Sequence, residues 1–111
     1  MKSQDPPSEQ LQSIVNLFTQ RRLKQALSES SQMLEKFPNS VILFNIVGAS
    51  NAELRQFDAA IESYKKALEI KPDFAEVHYN LGIKLQGLGQ LDTAIKHYEQ
   101  ALEIKPEYTE A

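Results

Sequence analysis

The sequence predicts an all-α solenoid built from three helix–turn–helix repeats, with six helices in total. The first observation is that the segment YKKALEIKPDF, residues 64–74, recurs as YEQALEIKPEY, residues 98–108, at an offset of 34 residues. The second is that apolar residues within each copy recur three or four positions apart, which is the spacing of one helix face. The third is that no stretch shows the period-2 alternation of a β-strand.

The first unit, residues 7–40, is a degenerate copy of the two that follow. Its Ala26 and Pro38 match an alanine and a proline that both later units repeat at the same offset. The unit departs from the pattern at two places, where Ile14 replaces a glycine and Ser30 replaces a tyrosine. The register of this unit is therefore the least well defined of the three.

The second unit, residues 41–74, and the third, residues 75–108, each predict two helices joined by a turn. In the third unit Gly87 and Gly89 interrupt the helical spacing, which suits a turn. Asp92 is then the predicted N-cap of the last helix. A proline near the end of each unit cannot continue a helix, so it marks the unit boundary.

Small and large residues alternate at fixed places in the two later units. Gly48 and Gly82 lie on the first helix of each unit, and we expect them to let the two helices of a unit approach closely. Tyr64 and Tyr98 lie on the second helices and are expected to fill the space between helices. One helix pair this small cannot bury its own apolar face, so stability should come from stacking of neighbouring units.

The two ends of the chain differ in character. Residues 1–7 are polar and contain two prolines, and we expect a flexible tail before a repeat domain over 8–108. Residues 109–111 read as the start of a truncated fourth unit or capping helix. With no cap, the last helix would present Ile95 and Leu102 to solvent or to a neighbour. One hypothesis is therefore self-association through this edge as a two-fold homo-oligomer.

Composition argues against several kinds of site and partner. Cysteine is absent, which excludes disulfides, thiolate metal sites and cysteine nucleophiles. The formal net charge of -3 argues against a nucleic-acid partner, which would need a clustered basic face. The longest apolar run, residues 41–44, falls far short of the roughly 20 residues of a membrane helix. We therefore expect no membrane partner and a cytoplasmic location.

The pattern of the units resembles the tetratricopeptide repeat family. That family repeats an aromatic residue, leucine–glycine, a tyrosine, an alanine, a further aromatic residue, a second alanine and a closing proline over 34 residues. In the third unit these places hold His78, Leu81, Gly82, Leu85, Ala94, Tyr98, Ala101 and Pro106. The resemblance covers nearly the whole chain and implies a right-handed superhelix that binds proteins in a concave groove lined by the first helix of each unit.

The resemblance also indicates which residues should line that groove. The predicted groove residues are Leu11, Val15, Phe18, Ile42, Asn45, Ile46, Ala49, Tyr79, Asn80 and Ile83. This set is more apolar than a solvated surface, and exposed apolar patches usually mark partner surfaces. Our hypothesis is that the groove binds an extended or helical apolar segment, with Asn45 and Asn80 bonding its backbone. The alternative is a shifted first unit in which Leu11 and Val15 belong to the core.

No residue pattern in the sequence predicts catalysis, a metal or a cofactor. His78 occupies the aromatic packing position of the family, and His97 has no second histidine or cysteine at metal-ligand spacing. No phosphate-binding loop and no nucleophile beside a base are found. We expect the chain to be no enzyme by itself. The pattern is also similar to the N-terminal repeat regions of bacterial glycosyl-, methyl- or sulfotransferases, which present substrate to a following catalytic domain.

Overall fold

The computed structural model describes residues 4–106, which form three consecutive helical hairpins. The helices of this part of the chain are α1 (Ser8–Thr19), α2 (Leu23–Lys36), α3 (Val41–Glu53), α4 (Phe57–Ile70), α5 (Ala75–Gly87) and α6 (Leu91–Ile104). Each helix packs against the next along the chain, and α3 also contacts α5 directly. The predicted all-α repeat fold is therefore confirmed.

The turns inside the three hairpins share one backbone conformation. Arg21, Arg55 and Gly89 lie 34 residues apart and have φ values of 65°, 65° and 82°. In each turn the residue after the one with positive φ donates its N–H to the backbone carbonyl of the residue five positions earlier. Gln56 donates in this way to the Asn51 carbonyl at 2.8 Å. This left-handed ending satisfies the last carbonyls of each first helix. Glycine was predicted at this turn only in the third unit, and arginine adopts the same conformation in the other two.

The start of α6 differs from the sequence prediction. The helix begins at Leu91 and its N-cap is Gln90, so Asp92 lies inside the first turn instead of capping it. Asp58 holds the same place in α4. A carboxylate in the first turn is still favourable, because it interacts with the positive end of the helix dipole.

The centre of the core lies between the second and third units. It joins residues of α3 to α6, with alanines where helices approach closely and larger side chains between them. The buried members of this cluster are Ala52, Ala60, Tyr64, Ala67, Val77, Leu81, Leu85 and Ala94. Stacking of one hairpin on the next therefore forms the core, as the repeat pattern predicted.

The glycines of the later units stand directly against tyrosine rings. A Cβ atom at Gly48 would lie 2.6 Å from the Tyr64 ring, and one at Gly82 would lie 2.8 Å from the Tyr98 ring. In the first unit Ile14 and Ser30 hold the equivalent places, and both are buried. In the first unit the large residue, Ile14, is therefore on the first helix, and the small residue, Ser30, is on the second helix. The two departures from the repeat pattern offset each other in size.

The described part of the N-terminal segment is packed, which differs from the predicted flexible tail over residues 1–7. Pro6 is buried, and the Asp5 carboxylate accepts a hydrogen bond of 2.5 Å from the Ser40 hydroxyl. Ser40 is the N-cap of α3, so the segment is attached to the start of the second unit. The predicted start of a fourth unit at residues 109–111 lies outside the described residues.

Candidate functional site

The first helices of the repeats carry the predicted groove residues at the surface. Among the predicted set, Val15, Ile42 and Ile83 are exposed. The others are half-buried: Leu11, Phe18, Asn45, Ile46, Ala49, Tyr79 and Asn80. The buried residue of α1 is Ile14, so Leu11 and Val15 are not core residues and the first unit keeps the predicted register.

A chain of polar side chains crosses from α5 to α3 on this surface. The Asn80 amide donates to the Asn45 carbonyl oxygen at 3.2 Å. The Asn45 amide in turn donates to the Glu76 carboxylate at 3.2 Å. The sequence predicted that both asparagines would bond a partner backbone, and in the structure they bond each other. The Asn80 side-chain carbonyl keeps acceptor capacity for a partner backbone.

Two tyrosines of the third unit contact each other beside the predicted groove residues. The rings of Tyr79 and Tyr98 are 5.9 Å apart between centroids, with a tilt of 52°. The Tyr98 hydroxyl donates to the Gln86 side-chain oxygen at 2.7 Å. Burial raises the pKa of Tyr98 above its ordinary value, and the neighbouring Tyr79 raises it further. Tyr79, one of the predicted groove residues, therefore has an aromatic contact with α6.

Family comparisons agree with this arrangement of helices. A tetratricopeptide repeat model matches residues 75–108, and a second TPR repeat model matches residues 52–89. Together they span just over half of the chain. The chain belongs to the tetratricopeptide repeat family. In the terms of that family, α1, α3 and α5 are the first helices of successive repeats and α2, α4 and α6 are the second helices.

Curated relatives match less than half of this chain. The peroxisomal targeting signal receptor of Candida albicans is 44% identical over 46 residues, which is 41% of this chain and 8% of the receptor. The receptor of Kluyveromyces lactis is 44% identical over 50 residues, 45% of this chain and 9% of the receptor. The match therefore spans less than a tenth of the length of these relatives.

Solved structures with the same tetratricopeptide fold cover most of the chain. A crystal structure of MamA superposes with a TM-score of 0.79 at 22% identity, over 88% of this chain and 57% of that one. A MamA RS-1 double mutant gives a TM-score of 0.82 at 19% identity, over 92% of this chain and 57% of that one. At such low identity the likeness establishes the fold alone.

The outward face of α6 carries uncovered apolar side chains. Leu91 and Ile95 are 55% and 52% exposed, and Leu88 in the preceding turn is also exposed. Ile61, the equivalent of Ile95 in the second repeat, packs against the core cluster. The sequence predicted Ile95 at this edge, together with Leu102, which is half-buried. Leu88 and Leu91 were missed, although their counterparts at the 34-residue offset are also apolar.

The two histidines come together in the third repeat, which the sequence did not predict. The Nδ1 atoms of His78 and His97 are 3.0 Å apart and the ring centroids are 5.3 Å apart, so the two rings meet end to end through a hydrogen bond. Nε2 of His78 lies 2.7 Å from the Pro72 carbonyl oxygen. Burial lowers the pKa of His97 below its ordinary value, and the charges of His78 and Lys65 lower it further. The pair is 19 residues apart in sequence, a spacing that matches no local ligand motif.

Within residues 4–106 no helix is long and apolar enough to cross a membrane. In the same part of the chain no group of three or more histidine, cysteine, aspartate or glutamate side chains is placed to hold a metal ion.

Proposed function

We propose that this chain is a protein–protein interaction module that binds a segment of another protein along its first helices. The observation that carries the proposal is the row of exposed Val15, Ile42 and Ile83 beside the polar chain from Asn80 to Glu76. Apolar side chains left at the surface of a fold that otherwise buries them favour a partner. The name of the fungal relatives, peroxisomal targeting signal receptor, supports the same class of function.

The proposed ligand is an extended or helical apolar segment with neutral or basic flanks. Isoleucines of α3 and α5 would receive its apolar side chains, and the Asn80 carbonyl would accept a backbone N–H. Glu76 is exposed on the same surface, so an acidic segment would meet a like charge. This combination favours an apolar peptide over an acidic one.

The test is a pull-down with matched variants, followed by binding of a defined peptide. The groove variant is Ile42→Asp with Ile83→Asp, both 38% exposed in the wild-type chain. The control is Ile95→Asp with Ile104→Asp, because these residues are 52% and 38% exposed but lie on α6. Circular dichroism must first show that both variants are as helical as the wild type.

Two outcomes decide the proposal. We expect partners that the wild type and the control capture and the groove variant loses. The segment of such a partner that remains protected in the complex should then bind as a synthetic peptide, with at least tenfold weaker affinity for the groove variant. If the groove variant and the control bind alike, the ligand does not lie on the first helices and the proposal fails.

We also propose that the chain acts without catalysis of its own and in the cytoplasm. The match to a family of interaction modules supports the first part. Fractionation of cells expressing the natural protein, with immunodetection of each fraction, tests the second. Recovery in a membrane or organelle fraction would contradict it.

A second candidate function is self-association through α6, favoured by the exposure of Leu91 and Ile95. Sedimentation across a wide concentration range should then show a dimer that Ile95→Asp dissociates. Ile83→Asp serves as the control, since it places the same charge on the groove instead. A monomer at all concentrations, or a dimer unaffected by Ile95→Asp, would remove this candidate.

A further inference from the structure

His78 and His97 meet in an open cavity between α4, α5 and α6. His78 is buried on α5, whereas His97 is half-buried on α6. The cavity has a volume of about 440 Å³, so water reaches the pair. None of the predicted groove residues lines it, and nothing in the groove proposal uses these two side chains.

The hydrogen bonds of the pair fix where its protons lie. A carbonyl oxygen can only accept, so Nε2 of His78 donates to the Pro72 carbonyl at 2.7 Å. In the neutral ring Nδ1 of His78 then carries a lone pair, and Nδ1 of His97 donates to it at 3.0 Å. The contact therefore joins α5 to α6 and, through Pro72, to the connection that follows α4.

This contact is compatible with one added proton and not with two. A proton added at Nε2 of His97 leaves the shared Nδ1 hydrogen in place. When both rings are protonated, every ring nitrogen is a donor, so a hydrogen lies on each of the two facing Nδ1 atoms. Two N–H groups cannot face each other at 3.0 Å, and the rings must then move apart.

The charges around the pair also oppose its protonation. Of the charged side chains on the packed helices, Lys65 and Glu69 of α4 line the cavity, whereas α5 and α6 contribute the two histidines. Burial lowers the pKa of His97, and the positive charges of protonated His78 and of Lys65 lower it further. Glu69 acts in the opposite direction, but the pKa of His97 is lowered overall.

We infer that the contact between His78 and His97 is an acid-sensitive link, which holds α6 against α5 while the pair is neutral and opens when both rings are protonated. The effect falls mainly on α6, because the buried residues of this helix are the small Ala94 and Ala101. Acidification should therefore loosen α6 while the central helices stay packed.

The expected pH dependence has a definite sign. The unfolded chain protonates His97 at its ordinary pKa of 6.5, whereas the folded chain protonates it at a lower pH. Between these two values the unfolded state binds more protons, so the free energy of unfolding falls as the pH falls. The stabilisation from neutral His97 is complete well above its ordinary pKa.

The experiment compares the untagged wild-type chain with a variant that has no histidine. The sequence has two histidines, and the variant is His78→Phe with His97→Ser, because Phe44 and Ser63 hold the equivalent places in the preceding repeat. Urea unfolding is measured at about pH 7.5 and about pH 5.5, a window in which histidine is the side chain that ordinarily titrates. We expect the folding equilibrium constant of the wild type to fall severalfold at the lower pH and that of the variant to stay unchanged.

Two further readouts locate the effect. Hydrogen exchange, corrected for intrinsic rates, should show that α6 loses protection on acidification in the wild type and not in the variant, whereas α3 keeps its protection in both. In a nuclear magnetic resonance titration, His97 should have a lower pKa than a histidine in an unfolded peptide. Lys65→Gln should raise that pKa, because it removes an opposing charge.

Equal losses of stability on acidification in the wild type and the histidine-free variant would overturn the proposal. So would a loss of protection spread evenly over α3 and α6, or a His97 pKa at or above that of the unfolded peptide. If the double variant does not fold, His97→Gln takes its place, since this side chain is only half-buried. A pH dependence of stability that His97→Gln leaves unchanged would equally contradict the link.

Discussion

Gly48 and Tyr64 form a contact that admits no side chain at the glycine. A Cβ atom there would lie 2.6 and 2.7 Å from two carbons of the tyrosine ring. Tyr64 is itself buried and packs within the core cluster, so the ring has little room to move. The close approach of α3 and α4 therefore depends on the absence of one carbon atom.

We expect Gly48→Ala to lower the free energy of unfolding by about 1–3 kcal/mol, the usual cost of overpacking a core. The control is Gly87→Ala, where a Cβ atom would meet nothing within 4 Å. That change should raise the free energy of unfolding by up to about 1 kcal/mol, because alanine is the better helix former. Urea unfolding of the two variants checks both values, and equal stabilities would contradict the steric argument.

The exchange of sizes in the first repeat predicts strong coupling between two substitutions. Ser30→Tyr alone should be destabilising, because Ile14 already fills the equivalent of a glycine position. Adding Ile14→Gly should recover most of the loss, with a coupling energy on the order of 0.5–3 kcal/mol in a double-mutant cycle. Ser28→Tyr, at an exposed position of the same helix, should cost little. Additive effects of the two changes would show that these places are not in contact.

At the scale of one element, α3 illustrates how a helix is positioned at both ends. The Ser40 side chain accepts from the Leu43 N–H at 3.2 Å, which caps the helix. The same hydroxyl donates to Asp5 and so attaches the segment before α1. At the other end Arg55 takes the left-handed conformation that ends the hairpin's first helix. One hydroxyl therefore serves two segments that are 35 residues apart in sequence.

We expect Ser40→Ala to lower the free energy of unfolding by about 1 kcal/mol or more, the usual cost of losing an N-cap. The change also leaves Asp5 without this donor. Ser31→Ala, at an exposed position within α2, is the control and should change stability by less than about 0.5 kcal/mol. Chemical denaturation of both variants measures the difference, and equal effects would rule out a capping role.

For the whole molecule, burial is unevenly distributed along the array. In the described chain α1 has Ile14 as its buried residue and α6 has Ala94 and Ala101, whereas α3 and α5 each have six. Each hairpin of a repeat array is stabilised by its neighbours, and the end hairpins have a neighbour on one side. The terminal helices should therefore open locally more often than the central ones.

Hydrogen exchange followed by mass spectrometry should show this gradient directly. Amides of α3 and α5 should be the slowest to exchange, and those of α1 and α6 the fastest among the helices. Peptides from the start of α2 serve as an internal reference, since Leu23 and Ala26 are buried there. Uniform protection across all helices would mean that the array opens as a single unit.

Sequence periodicity predicted the helices because each helix can be recognised from local sequence alone, by the spacing of its apolar residues and by a glycine or proline near its end. The resemblance to the tetratricopeptide repeat family predicted Ile42 and Ile83 at the surface, and both side chains are exposed. Neither could predict the contact of His78 with His97, because that depends on how α5 meets α6. The packing of Asp5 on Ser40 was missed for the same reason, since a polar segment with prolines reads locally as a tail.

The size exchange at Ile14 and Ser30 also affects which helices can pair during folding. If α1 paired with α4, Ile14 would meet Tyr64, and two large residues would compete for one space. If α3 paired with α2, Gly48 would meet Ser30, and two small residues would leave a void. Near-identical repeats tend to misassemble with one another's partners. The side-chain volumes at this contact therefore differ between the first hairpin and the second. This difference disfavours pairing of a helix of the first hairpin with a helix of the second.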